Sequence, residues 1–118
     1  MILLFIIFIL LLLFLFKDKG RLSPEEFVKK INNKDYDYIL DVRTQEEWNE
    51  GHHPSATLIP IGEFVSELPK QVKNKDAKLL IYCKRGIRAE ASAKIAERLG
   101  YTDIYWLDGT YGELSKLI

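Results

Sequence analysis

The run Lys78-Leu79-Leu80-Ile81-Tyr82 shows no alternation of polar and apolar residues, so a strand built from it must be covered on both faces. Such a strand belongs inside a parallel sheet with helices on either side. The neighbouring segments fit that layout. Tyr38-Ile39-Leu40-Asp41-Val42 and residues 103–107 read as further strands, and Thr57-Leu58-Ile59 as a small one ended by Pro60. Ser23-Pro24-Glu25-Glu26 is a capping box with proline in the first turn, which predicts a helix to about Ile31. Thr44-Gln45-Glu46-Glu47 is a second capping box; its short helix should carry Trp48 and stop at Gly51. Residues 61–68 and 110–117 read as helical, and 70–78 as a solvated connector. From Ile87 the spacing Ile87, Ala91, Ile95, Leu99 marks one helical face, with Gly100 placed as its C-cap. Strands alternating with helices predict an α/β domain with a mainly parallel central sheet flanked by helices. Ligands of such sheets sit beyond the carboxyl ends of the strands. Cys83 lies at one such end, and Asp41 and Arg43 lie at another.

Residues 1–16, MILLFIIFILLLLFLF, are apolar without interruption and have no polar face to mark a core helix. As a helix they span about 24 Å against roughly 30 Å of bilayer hydrocarbon, a gap that snorkelling lysines or local thinning would close. No basic residue precedes the run, and KDKGRLSP follows it without an Ala-x-Ala cleavage pattern. The reading is one hydrophobic N-terminal helix over 1–16, a transmembrane anchor or signal-like segment, then a linker at 17–22 and a single domain at 23–118. Lys17, Lys19 and Arg21 follow the run, so the positive-inside rule places the domain on the cytoplasmic side, with export to the periplasm as the alternative. The 17 acidic and 17 basic residues balance, which argues against a nucleic-acid partner.

The chain has one cysteine, which excludes an internal disulfide framework and an all-thiolate metal site. It stands in Tyr82-Cys83-Lys84-Arg85-Gly86-Ile87-Arg88, between a strand and a helix. A strand-to-helix turn presents unpaired backbone N–H groups, and a loop curled around its first side chain aims several of them at one spot. A sulfur placed there is favoured as the anion by the helix N-terminus and by Lys84, Arg85 and Arg88. Gly86 permits the tight curl. The alternative is a small buried cysteine ending a core strand.

In its ordered motifs the chain resembles the single-domain rhodaneses, the thiosulfate sulfurtransferase family, over residues 23–114. Tyr38-Ile39-Leu40-Asp41-Val42-Arg43 with Glu47-Trp48 is similar to one block of that family. Gly51-His52-His53-Pro54-Ser55-Ala56 with Ile59-Pro60 is similar to a second. Tyr82-Cys83 with Gly86 and Arg88 is similar to its active loop, and Leu107-Asp108-Gly109 to its closing block. The resemblance implies a rhodanese-like fold and transfer of a sulfane sulfur, with Cys83 as nucleophile and a persulfide intermediate. It implies that the backbone N–H groups of Lys84, Arg85, Gly86, Ile87 and Arg88 cradle the sulfur, while Lys84 and Arg85 attract a small anionic donor. Cyanide or a thiol would be the acceptor. No metal or organic cofactor is implied. His53, Ser55, Thr110 and Leu114 depart from the usual pattern.

Asp41 and Arg43 read as supporting residues that fix the loop after their strand, with Arg43 a candidate partner for Glu47. Adjacent side chains such as His52 and His53 rarely converge on one metal ion. Trp48, Tyr105 and Trp106 read as core or rim aromatics. Two rival functions stay open. A cysteine phosphatase or arsenate reductase also holds its thiol in an anion loop, but with one more residue before the arginine than the Lys84-Arg85-Gly86-Ile87 found here. A non-catalytic persulfide carrier or docking domain at a membrane is the other.

Overall fold

The structure, a computed structural model, describes residues 1–15 and 19–118. Five parallel strands form one sheet in the order β1-β5-β4-β2-β3. They are β1 (Arg21–Leu22), β2 (Tyr38–Asp41), β3 (Ala56–Leu58), β4 (Lys78–Tyr82) and β5 (Asp103–Leu107). The helices of the domain are α2 (Pro24–Asn32), α3 (Gln45–Glu50), α4 (Phe64–Gln71), α5 (Ile87–Arg98) and α6 (Tyr111–Leu117). A short 3₁₀ turn, Ile61–Glu63, leads into α4. β4 is the central strand, as its unbroken apolar run requires. Leu79, Ile81 and Cys83 point into the layer made by α4 and α5, whereas Leu80 and Tyr82 join the layer made by α2 and α6.

Ser23 and Thr44 accept from the backbone N–H groups of Glu26 and Glu47 and complete the two expected capping boxes. Thr110 and Glu113 form a third that the sequence reading passed over. Three further expectations are corrected. Residues 21–22 are not linker: they pair in parallel with Trp106 and Leu107 as an edge strand. Within 70–78, Val72 and Ala77 are buried in the core. The buried face of α5 is Ala89, Ser92, Ala93 and Ala96, while Ile87 is 80 % exposed. Small side chains let this helix approach the sheet closely, and the larger Ile95 and Leu99 pack only at its margin.

The apolar N-terminal segment forms α1 (Ile2–Leu15), a helix of 14 residues and about 21 Å. Its first residues, Met1 to Leu11, are exposed apolar surface. Among the described residues no helix is long and apolar enough to cross a membrane. At 14 residues α1 is shorter than the about 20 residues of a straight crossing. Phe16, the expected end of the segment, and residues 17 and 18 of the expected linker lie outside the described residues.

Candidate active site

The site is built where β2 and β4 end side by side, with Asp41 and Tyr82 in register. β4 delivers Cys83 into a loop that turns back on itself at Gly86, whose φ of 101° lies in the left-handed region open to glycine. A side chain there would also touch the carbonyl oxygen of Leu107 at 3.4 Å. The closing block Leu107-Asp108-Gly109 is thus the floor against which the loop folds. Gly109 itself leaves no room for a Cβ, which would lie 2.8 Å from the Pro24 ring. The backbone N–H of Tyr111, at the start of α6, donates to the carbonyl of Lys84 at 3.0 Å and ties the loop from the other side.

The curl aims backbone donors at the sulfur. Cys83 Sγ accepts from the N–H of Gly86 at 3.0 Å and from that of Ala89 at 3.3 Å, and the residue is only 1 % exposed. Ala89 was not among the expected cradle residues. Its N–H is one of the unpaired donors of the first turn of α5, so the signal was present in the helix boundary. The side chains of Lys84, Arg85 and Ile87 are exposed to solvent.

Arg88 is held by a carboxylate from the other loop. Its Nη1 and Nη2 donate to Glu47 Oε1 and Oε2 at 2.7 and 3.0 Å. Glu47 Oε1 also accepts from the backbone N–H of Thr44 at 3.0 Å and from its hydroxyl at 3.2 Å. The Arg88 bonds, followed by those from Thr44, hold the Glu47 carboxyl down at about 2. The expected pairing of Glu47 with Arg43 is corrected. Arg43 belongs to Asp41: its Nη2 lies 2.7 Å from Oδ2, and Asp41 Oδ1 accepts from the Arg43 backbone N–H at 3.0 Å. Both residues are buried. Arg43 also donates to the Gly51 carbonyl at 2.7 Å and lies over the Tyr111 ring, 4.2 Å from its centre.

His53 is buried, and burial pushes its imidazole below the ordinary value. Its Nδ1 accepts from the Ser55 backbone N–H at 3.0 Å, and the His53 backbone N–H donates to the Tyr82 hydroxyl at 3.1 Å. Burial raises the Tyr82 phenol, which stays protonated. The departure at 53 is thus satisfied by the backbone of residue 55, while Thr110 caps α6 and Leu114 fills the core. Trp48 stacks on His52 with ring centres 3.4 Å apart. Among the described residues no cluster of histidine, cysteine or acidic side chains is grouped to hold a metal ion.

A parallel α/β sheet that ends in a main-chain cradle for one buried sulfur defines a protein of the sulfurtransferase-related fold. Residues 23–116 match the Rhodanese-like domain family, and the chain belongs to it. The chain is 37 % identical over 106 residues to the tRNA uridine(34) hydroxylase of Onion yellows phytoplasma, covering 82 % of this chain and 34 % of that protein. It is 32 % identical over 106 residues to the protein of that name from Chlamydia pneumoniae, covering 82 % of this chain and 32 % of that one. The chain therefore spans about a third of the length of these curated relatives. Among solved structures, a Helicobacter pylori protein is 34 % identical with a TM-score of 0.67, covering 83 % of this chain and 84 % of that one. The human single-domain sulfurtransferase shares the fold at a TM-score of 0.68 and 24 % identity, covering 82 % and 96 %.

Proposed function

We propose that the chain is a sulfurtransferase that carries a sulfane sulfur on Cys83. The observation that carries this reading is the pair of N–H groups, from Gly86 and Ala89, converging on Sγ. Such a pair of donors suits the negative charge that a persulfide on Cys83 would carry. The Cys83 thiolate attacks the outer sulfur of thiosulfate or of a persulfide donor. With thiosulfate a new S–S bond forms on Cys83, the old S–S bond breaks, and sulfite leaves with the electron pair. Cyanide or a thiolate then takes the outer sulfur, and the Cys83 thiolate returns. Lys84 and Arg85, at the loop rim, draw in the anionic donor.

In this reading residues 1–16 hold the domain at a membrane, with the domain on the cytoplasmic side. The exposed apolar surface of α1 and the cationic residues that follow it support this. Protease added to the outer face of intact spheroplasts should leave the domain uncut; digestion there would reverse the orientation.

The central test incubates the purified chain with thiosulfate. Cys83 should gain about 32 Da, one sulfur atom, and added cyanide should release thiocyanate. An adduct without turnover would make the chain a carrier, and no adduct alongside phosphate-ester hydrolysis would make it a phosphatase. A second reading is favoured by the identity to the phytoplasma hydroxylase: the same cysteine loop would serve a tRNA-modifying reaction. The balanced charge of this chain gives such a reading little electrostatic support. Binding of a tRNA anticodon stem-loop at physiological salt would move it ahead.

A further inference from the structure

We propose that Glu47 is a positioning residue that withdraws Arg88 from the anion site, so that Lys84 and Arg85 alone read the charge of the sulfur donor. The inference deepens the sulfur-transfer reading and rests on it for the identity of the donor.

Arg88 closes the cysteine loop and is the one loop cation fixed at both ends of its fork. The carboxylate that holds it is itself fixed, because Glu47 Oε1 accepts two bonds from Thr44 at the start of α3. Arg88 cannot turn toward a ligand above Cys83 without leaving this bidentate contact. The two side chains are 30 % and 18 % exposed, which shields the pair from water more than an open surface bridge. An oxyanion arriving at the loop therefore meets a neutral pair where an arginine fork would otherwise clamp it. Lys84 and Arg85 differ. Both are exposed, and among the described residues neither side chain makes an ion pair or a hydrogen bond. Their charge lies at the rim, where it suits a donor whose negative charge sits beyond the sulfur being transferred. It suits less well a compact phosphate ester that needs a planar fork close to the nucleophile.

The test follows alkylation of Cys83 by iodoacetamide in the full chain, with inorganic sulfate as the protecting probe. In Glu47→Gln the amide oxygen keeps a partner for Thr44, but the charge that holds Arg88 is gone. Sulfate should then protect Cys83 at a concentration at least threefold lower than in the wild type. The double variant Glu47→Gln/Arg88→Gln should lose that gain. A residue that only supports the loop would give the opposite sign, with weaker protection in Glu47→Gln. Unchanged or weaker protection in the single variant, or a gain retained in the double, overturns the proposal. Should Glu47→Gln not fold, Glu47→Asp serves: its carboxylate falls one methylene short of the fork, and protection should strengthen by a smaller factor. No shift there overturns the proposal equally. Protection is read without turnover, so a wild-type chain that forms no persulfide from thiosulfate would sink the sulfur-transfer reading and leave this measurement standing by itself.

Discussion

The loops after β2 and β4 start from neighbouring strand ends, and each ends its turn near an arginine, yet they spend their polar groups in opposite ways. β2 itself ends on a carboxylate. Asp41 takes the backbone N–H of Arg43 and the Arg43 guanidinium together, inside the protein. Charge and donors cancel within three residues. After β4 the first side chain is a thiol that takes two backbone N–H groups, and its arginine is satisfied by Glu47 from the other loop. The β2 loop is a closed unit that serves as a base. The β4 loop keeps its main-chain dipoles aimed at a group that can change its bonding. Glu47–Arg88 is the strut between them.

The comparison breaks most completely at the sulfur. Cys83→Ser should reduce thiocyanate formation to background while the thermal melt stays close to that of the wild type, because serine fits the same space and can accept the same two N–H bonds. Full activity in that variant would remove the nucleophile from the reading. The next largest effect belongs to the closed loop. Asp41→Ala leaves Arg43 buried without its carboxylate and should cost about 3–5 kcal/mol in urea denaturation. A loss near that of a surface substitution would show that the Gly51 carbonyl and Tyr111 ring suffice for Arg43.

Gly86→Ala sharpens the contrast from the other side. Its φ of 101° and the 3.4 Å approach to Leu107 oxygen should cost about 1–2 kcal/mol and slow alkylation of Cys83, since the curl that aims the donors is strained. Normal alkylation in a destabilised variant would separate the fold of the loop from its chemistry. The smallest effect is the acid limb of the strut. Glu47 falls from an ordinary 4.5 to about 2 in the folded chain, so its contribution is complete above about 4.5 and is lost as pH falls toward 2. Glu47→Gln should flatten the stability profile in that window. Loss of stability already between pH 6.5 and 4.5 would be assigned to His53, whose buried neutral ring resists protonation.

Much of the fold could be read locally. The runs 78–82 and 103–107 are strands at those bounds, and Ser23 and Thr44 cap helices at the residues expected. These signals act over a few residues, through apolar runs and side chains that reach backbone three positions on. The cysteine loop was legible for the same reason: Cys83, Gly86 and the helix start lie within one turn of each other. Ile87 was misread because helical spacing identifies a face but not the distance to the sheet. A helix drawn in on alanines leaves the larger residue of its first turn outside. Arg21 and Leu22 carried no strand pattern, since two residues at an edge show no periodicity.

By itself the sequence determined where four of the five strands run, where the capped helices begin, and that one sulfur would stand at a strand end before a helix. Only the tertiary structure decided which carboxylate each arginine would take. Asp41 claims Arg43 because the two are neighbours along the chain. Glu47 reaches Arg88 across 41 positions because parallel pairing of β2 with β4 brings their loops together. Local bonds depend on a few torsions, whereas contacts between loops depend on strand order, and strand order is settled by burial of the whole sheet.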